Sequence, residues 1–268
     1  MKATVLPMTC RIFAASTLIL LFSPAARGSD SGLSQPPFPP DLPILEVPEG
    51  PAPNWIEHFD TYTTGSEMIG QGGWEGWAGS ATVGALTSAT QLRSAPNSID
   101  VLGDTDLVHQ YAGYTSGVWT YTAYLYLPAG ETGKTYFILL NTYPATVFGH
   151  WSVQLCFDGA AGVLRDDLAG TCVAPSTTTL VRDQWVEIRV IADLTANTQT
   201  VFYNSVLFYT APWSTHLGPE GAISLRAVDL FGNNAGSAFW DDLSLSNLPF
   251  SDGFEGGDTN SWHETVAQ

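Results

Sequence analysis

Between Val118 and Leu127 the chain alternates. Trp119, Tyr121, Ala123, Leu125 and Leu127 take every second position, Val118, Thr120, Thr122, Tyr124 and Tyr126 the positions between, and Pro128 ends the run. A period of two places successive side chains on opposite faces of an extended strand, whereas a helix repeats near 3.6. The beat returns in Trp151, Val153, Leu155 and Phe157. Residues 176–211 lack Gly and Pro, which would admit a helix, yet Val186, Ile188 and Val190 share one face and Glu187 and Arg189 the other. Ala192–Thr198 supplies a turn there and Gln199–Tyr209 a second strand. Tyr136–Tyr143, Ala222–Leu230 and Ala238–Leu245 complete the set. Many strands without a convincing helix predict an all-β fold of two antiparallel sheets.

The amino terminus predicts export. Lys2 and Arg11 precede the apolar run Ile12–Phe22, and Ala26-Arg27-Gly28 offers the small residues of a signal-peptidase site. Residues 1–28 therefore read as a signal peptide, too short in its apolar part to cross a bilayer, and the mature chain begins near Ser29. Its removal takes three of the nine basic residues and none of the 26 acidic ones, leaving a formal charge of −20. Nucleic acid, anionic membrane and acidic polysaccharide suit such a surface poorly. Residues 29–54 read as a Pro-rich linker, 55–248 as the sandwich and 249–268 as a tail. Cys10 leaves with the signal. Cys156 and Cys172, in an oxidising compartment, read most simply as one disulfide, with free thiols as the alternative.

Certain segments resemble a known superfamily. Glu57-His58-Phe59-Asp60 and Gly70-Gln71-Gly72-Gly73-Trp74-Glu75-Gly76-Trp77 look like the opening of jelly-roll carbohydrate-binding modules. Gln184–Val190 with Val201–Asn204 is similar to the concanavalin A-like and laminin-G-like sandwiches, and Phe239-Trp240-Asp241-Asp242-Leu243-Ser244-Leu245 resembles their closing strand. The resemblance implies a two-sheet antiparallel jelly-roll sandwich over Trp55–Leu248. It specifies activity poorly, because the superfamily includes lectins, glycosidases, polysaccharide lyases and adhesion domains.

No catalytic signature accompanies it. The sequence lacks a Gly-x-Ser-x-Gly elbow, a His-Glu-x-x-His helix, a phosphate loop and an Asp-x-Asp-x-Asp-Gly calcium loop. The Glu-x-Asp-x-x-Glu strand motif of sandwich glycosidases and the Arg-Thr-Glu-Ile-Arg and Gln-Ile-His motifs of lyases are also missing. Glu187 reads as half of a surface ion pair with Arg189. Nine Trp and ten Tyr instead suggest aromatic platforms, whose faces stack on sugar rings. Strand parity puts Tyr124, Tyr126 and Gln154 opposite core positions, with Asn141 and Trp240 as further outward candidates. The reading is a secreted, lectin-like protein that binds a neutral glycan without catalysis. A glycan-cleaving hydrolase or lyase and an extracellular adhesion module are the alternatives.

A structural calcium ion is expected as well. If Leu243 and Leu245 face the core, Asp241 two positions earlier points inward with them and needs a partner. In the modules this chain resembles, an acidic residue after an aromatic helps hold calcium, and Phe59-Asp60 matches that position. Asp60 and Asp241 are therefore the expected ligands, with capping of backbone N–H groups by Asp241 as the alternative.

Overall fold

A computed structural model describes residues 52–145, 150–174 and 176–247. The segments expected as signal peptide, linker (up to residue 51) and tail lie outside the described residues. The strands are β1 (Trp55–Glu57), β2 (Trp74–Gly76), β3 (Leu86–Ser88), β4 (Ser98–Gly103), β5 (Asp106–Gln110), β6 (Val118–Tyr126), β7 (Lys134–Leu140) and β8 (Trp151–Asp158). They continue as β9 (Val163–Asp166), β10 (Thr177–Thr179), β11 (Trp185–Asp193), β12 (Thr198–Tyr203), β13 (Val206–Pro212), β14 (Ala227–Asn233) and β15 (Ala235–Ser246). A short 3-10 turn lies at Trp77–Gly79.

Two antiparallel sheets result, the jelly-roll sandwich that the sequence implied. The larger has eight strands in the order β13-β12-β11-β6-β15-β4-β3, with β1 also paired to β15, and the smaller has seven in the order β10-β9-β8-β7-β14-β5-β2. Between them lies the core. Tyr121, Ala123 and Leu125 of β6 and Ile188 and Val190 of β11 meet Phe137, Leu139, Val153, Leu155 and Phe157 of the smaller sheet. The alternation read from these strands is therefore the alternation of core and outer face.

The closing strand departs from that rule. Asp241 pairs Tyr124 and Ser244 pairs Thr122, so β15 spends three steps where β6 spends two. The extra residue is Asp242, at φ 48°. A one-residue bulge reverses strand parity across it. Trp240 consequently faces the core with Leu243 and Leu245, fully buried and stacked 5.8 Å from Phe137. The outward orientation expected for Trp240 is thus corrected. So is the inward one expected for Asp241, which shares the outer face of Tyr124 and is covered there by residues 93–94.

Cys156 and Cys172 form the expected disulfide, with Cα atoms 5.6 Å apart. It ties β8 to the segment after β9 on the outer side of the smaller sheet.

Candidate functional site

The outer face of the smaller sheet is unusual in its chemistry. Pairing runs Glu75 to Val108, Val108 to Asp229, Asp229 to Ile138 and Ile138 to Gln154, so one row crosses five strands on the side away from the core. Asp229 and Gln154 are fully buried in it. Glu75 and Asp229 stand two strands apart, a backbone spacing of ~9.5 Å. Above them an aromatic wall is built by Trp77, Tyr143 and Trp151. Trp77 lies parallel to Trp151 at 6.0 Å, and Tyr143 meets Trp77 edge-on at 5.6 Å.

Local sequence explains how the wall is placed. A Cβ on Gly76 would lie 2.1 Å from the Ser80 carbonyl oxygen, so only glycine lets the chain turn directly from β2 into the Trp77 turn. Gln110 Nε2 donates to Glu75 Oε1 at 2.9 Å. Burial first, and then the nearby charges of Glu75 and Asp229, drive the Tyr143 pKa far above the usual phenol range. Tyr143 therefore stays a protonated phenol, able to donate its proton to an acceptor and to accept on its oxygen.

On the other flank of the row, Gln154 Nε2 donates to Asp167 Oδ2 at 3.0 Å. Asp167 also accepts the amides of Thr171 and Cys172, which pins the disulfide segment over the sheet. Gln154 Oε1 is buried without a hydrogen-bond partner among the described residues. Such an acceptor costs roughly 1–3 kcal/mol unless something donates to it.

The residues expected to bind a glycan are dispersed over three layers. Tyr124 and Tyr126 lie on the outer face of the larger sheet, Tyr124 under the Arg93 guanidinium at 3.4 Å and Tyr126 edge-on to Trp185 at 5.7 Å. Trp240 is in the core between the sheets. Asn141 and Gln154 belong to the smaller sheet. Asn141 has a structural role, donating to Ser152 Oγ and accepting from the Ala222 amide and the Thr142 hydroxyl at 3.0 Å each. These five side chains cannot line one site. Glu187 and Arg189 do pair, at 3.8 Å, with Arg189 lying over the Phe202 ring.

The sequence reading missed Glu75, Gln110, Tyr143 and Asp229. One signal was available. In Ala227-Val228-Asp229-Leu230-Phe231 an acidic residue interrupts an otherwise apolar strand, which marks the face opposite Val228 and Leu230 as polar.

Asp60 and Asp241 both turn to the segment 93–97. The Asn97 amide donates to Asp60 Oδ1 at 3.3 Å, and the Arg93 and Ser94 amides donate to Asp241 Oδ2 at 2.9 and 3.1 Å. Burial, then the neighbouring charge of Asp242, pushes the Asp241 pKa up to about 7. Burial also acts on Asp242, but hydrogen bonds from His58, Arg93 and Ser94 outweigh it and hold that carboxyl below its usual range. Among the described residues no group of three or more His, Cys, Asp and Glu side chains is gathered to hold a metal ion. Backbone carbonyls and water would have to complete any calcium sphere at Asp60 and Asp241.

No family model matches the chain, and no curated protein does. Several solved structures are similar to it. An endo-β-1,4-glucuronan lyase from the fungus Trichoderma reesei aligns at TM-score 0.46 and 8% identity, covering 72% of this chain and 95% of its own. A sialidase aligns at 0.48 and 6%, covering 75% of this chain and 19% of its own. The carbohydrate recognition domain of Emp46p aligns at 0.38 and 8%, covering 56% and 82%. Such distant likenesses leave function to be read from the side chains.

Proposed function

We propose that this is a secreted glycan-binding protein whose neutral ligand meets the outer face of the smaller sheet at its β2 edge, beside Glu75, Gln110, Tyr143 and Trp77. The observation that carries the reading is the polar row from Glu75 to Gln154 beneath an aromatic wall. Carboxylate and amide groups accept and donate to sugar hydroxyls, while the buried Trp77 and Trp151 rings hold the wall behind them. Glu75, the half-buried member at the edge strand, is the first group a ligand reaches. The acidity of the chain argues for a neutral glycan over an anionic one. The disulfide supports an oxidising, extracytoplasmic location. A glycan array followed by calorimetry tests this reading, with Glu75→Gln weakening the best ligand. Equal affinity in that variant would remove the site from this face.

One observation favours hydrolysis as a second reading. Glu75 and Asp229 are both close enough to Tyr143 for their charges to raise its pKa, and a pair of carboxylates on one face is the acid–base pair that glycosidases use. Reducing-sugar and unsaturated-product assays on neutral polysaccharides separate the two readings. Product formation lost in both Glu75→Gln and Asp229→Asn would establish the enzyme.

A structural calcium ion at Asp60 and Asp241 stands beside these as a further proposal, supported by the convergence of both carboxylates on one loop. Calcium should raise the melting temperature, EDTA lower it, and Asp241→Asn abolish the response. Indifference to both reagents would leave amide capping as the whole role of Asp241.

A further inference from the structure

At its far side the sandwich is not closed. β10 is the free edge of the smaller sheet and β13 the free edge of the larger. Between them lies a groove of about 380 Å³, lined by Ser176, Thr177, Thr178, Tyr203, Leu207 and Phe208 together with Val206. We propose that this groove is a second subsite, distinct from the outer face, that takes a short stretch of a neutral sugar chain.

Each wall has its own chemistry. On the β10 side stand three hydroxyl-bearing residues, and Thr178 pairs with the core residue Leu164, which turns its side chain inward to the groove. The β13 side is aromatic. A register shift between Val201 and Phe202 makes Phe208 the extra residue of β13, since Val201 pairs Tyr209 and Phe202 pairs Leu207. The bulge brings both Phe208 and Tyr209 against the core side, with Phe208 left at the groove. Tyr203 accepts the Val181 amide on its hydroxyl at 2.9 Å, so what it offers the groove is ring surface. Hydroxyls on one side and aromatic faces on the other match a pyranose, whose rim is polar and whose faces are apolar.

Charge selects against other occupants. None of the lining residues is ionisable near neutrality, although the chain carries a net charge of −17. The carboxylate nearest in sequence to this edge, Asp183, lies outside the lining and accepts the Ala129 amide at 2.8 Å. An ion gains nothing in such a groove, while a neutral polyol loses no strong hydration of charge on entering it. The lip is apolar and open, with Val206 67% and Leu207 57% exposed at the end of the β12–β13 hairpin. The volume is near the lower end of the ~300–1,000 Å³ common for ligand pockets, which suits a short segment. Because β10 and β2 are opposite edges of the same sheet, this subsite and the Glu75 site can be tested independently.

The experiment is amide NMR of the isotope-labelled protein titrated with cellohexaose, laminarihexaose and mannohexaose. At least one hexaose should shift the amides of Ser176–Thr178 and Val206–Phe208. Thr177→Arg, at an exposed position where folding is not at stake, and Phe208→Ala should each weaken those shifts by about tenfold or more, a difference of ~1.4 kcal/mol per tenfold. Glu75→Gln should leave them unchanged, so failure of the outer-face reading would be seen separately. No shift at the groove with any hexaose at ~10 mM, a range that reaches even weak complexes, would overturn the proposal. Undiminished shifts in Thr177→Arg would do the same, as would groove shifts produced by a leucine-rich peptide and by none of the sugars.

Discussion

Lowering the pH from 7 to 4 acts on two buried groups in opposite directions. His109 stands among Trp55, Trp74 and Tyr111 at ring distances of 4.6, 5.3 and 4.9 Å, and burial lowers its pKa from 6.5 to about 4. Between those values the unfolded chain binds a proton that the folded one refuses, so stability falls as the solution is acidified. At ~1.4 kcal/mol per pH unit, the full loss is about 3 kcal/mol once pH 4 is reached. Asp241 has the reverse sign. Its pKa is raised from 3.8 to about 7, first by burial and then by Asp242, so the folded state keeps a proton that the unfolded state has released. Stability from this group therefore rises as pH falls through the same window. Asp242, whose folded pKa is depressed, loses its stabilising contribution only below the window. The wild type should accordingly show a shallow profile in urea-unfolding measurements at pH 7, 6, 5 and 4. His109→Gln leaves Asp241 unopposed and should make the protein relatively more stable towards acid. Asp241→Asn should steepen the acid loss. The slopes carry the result, since either substitution also changes stability at neutral pH. Variant and wild-type profiles that run parallel would refute the assignment of both groups.

Other outcomes follow from packing and connectivity. Cys156→Ala with Cys172→Ala frees a loop with a sequence separation of 16, and chain entropy puts the cost at about 3 kcal/mol. Calorimetry should show a melting temperature lower by roughly 6–12 °C for a domain of this size, and reductant should lower the wild type alike but leave the variant unchanged. Trp240→Ala should cost about 3–5 kcal/mol in urea unfolding, the range for a fully buried aromatic, without shifting sugar-dependent NMR signals of the remaining fold. A loss under about 1 kcal/mol, typical of surface positions, would place Trp240 outside the core.

How much the sequence by itself determined can be traced residue by residue. Period-two alternation in Val118–Leu127, Trp151–Phe157 and Val186–Val190 is a local property, because consecutive side chains of a strand must point opposite ways. It was enough for the all-β sandwich and for the core faces of β6, β11 and the Val153–Phe157 part of β8. Trp151, expected on that same face, is instead turned to the outer side by a register shift between Leu139 and Leu140. The pairing of Cys156 with Cys172 was also legible, since the only other cysteine is Cys10, within the segment expected to be a signal peptide. The same parity failed in β15. Nothing local announces that Asp242 adopts φ 48°. That conformation is settled by how β15 registers against β6 and by the His58, Arg93 and Ser94 groups that gather around its carboxyl. One inserted residue moved Trp240 into the core and Asp241 onto the outer face. The candidate site shows the limit more sharply. Glu75, Gln110, Tyr143 and Asp229 come from distant parts of the chain, and only sheet order and register bring Glu75 and Asp229 into one row. A sequence records which side of its own strand a residue takes; which strands lie beside one another is decided by long-range pairing, and a site built across strands exists only once that pairing is made.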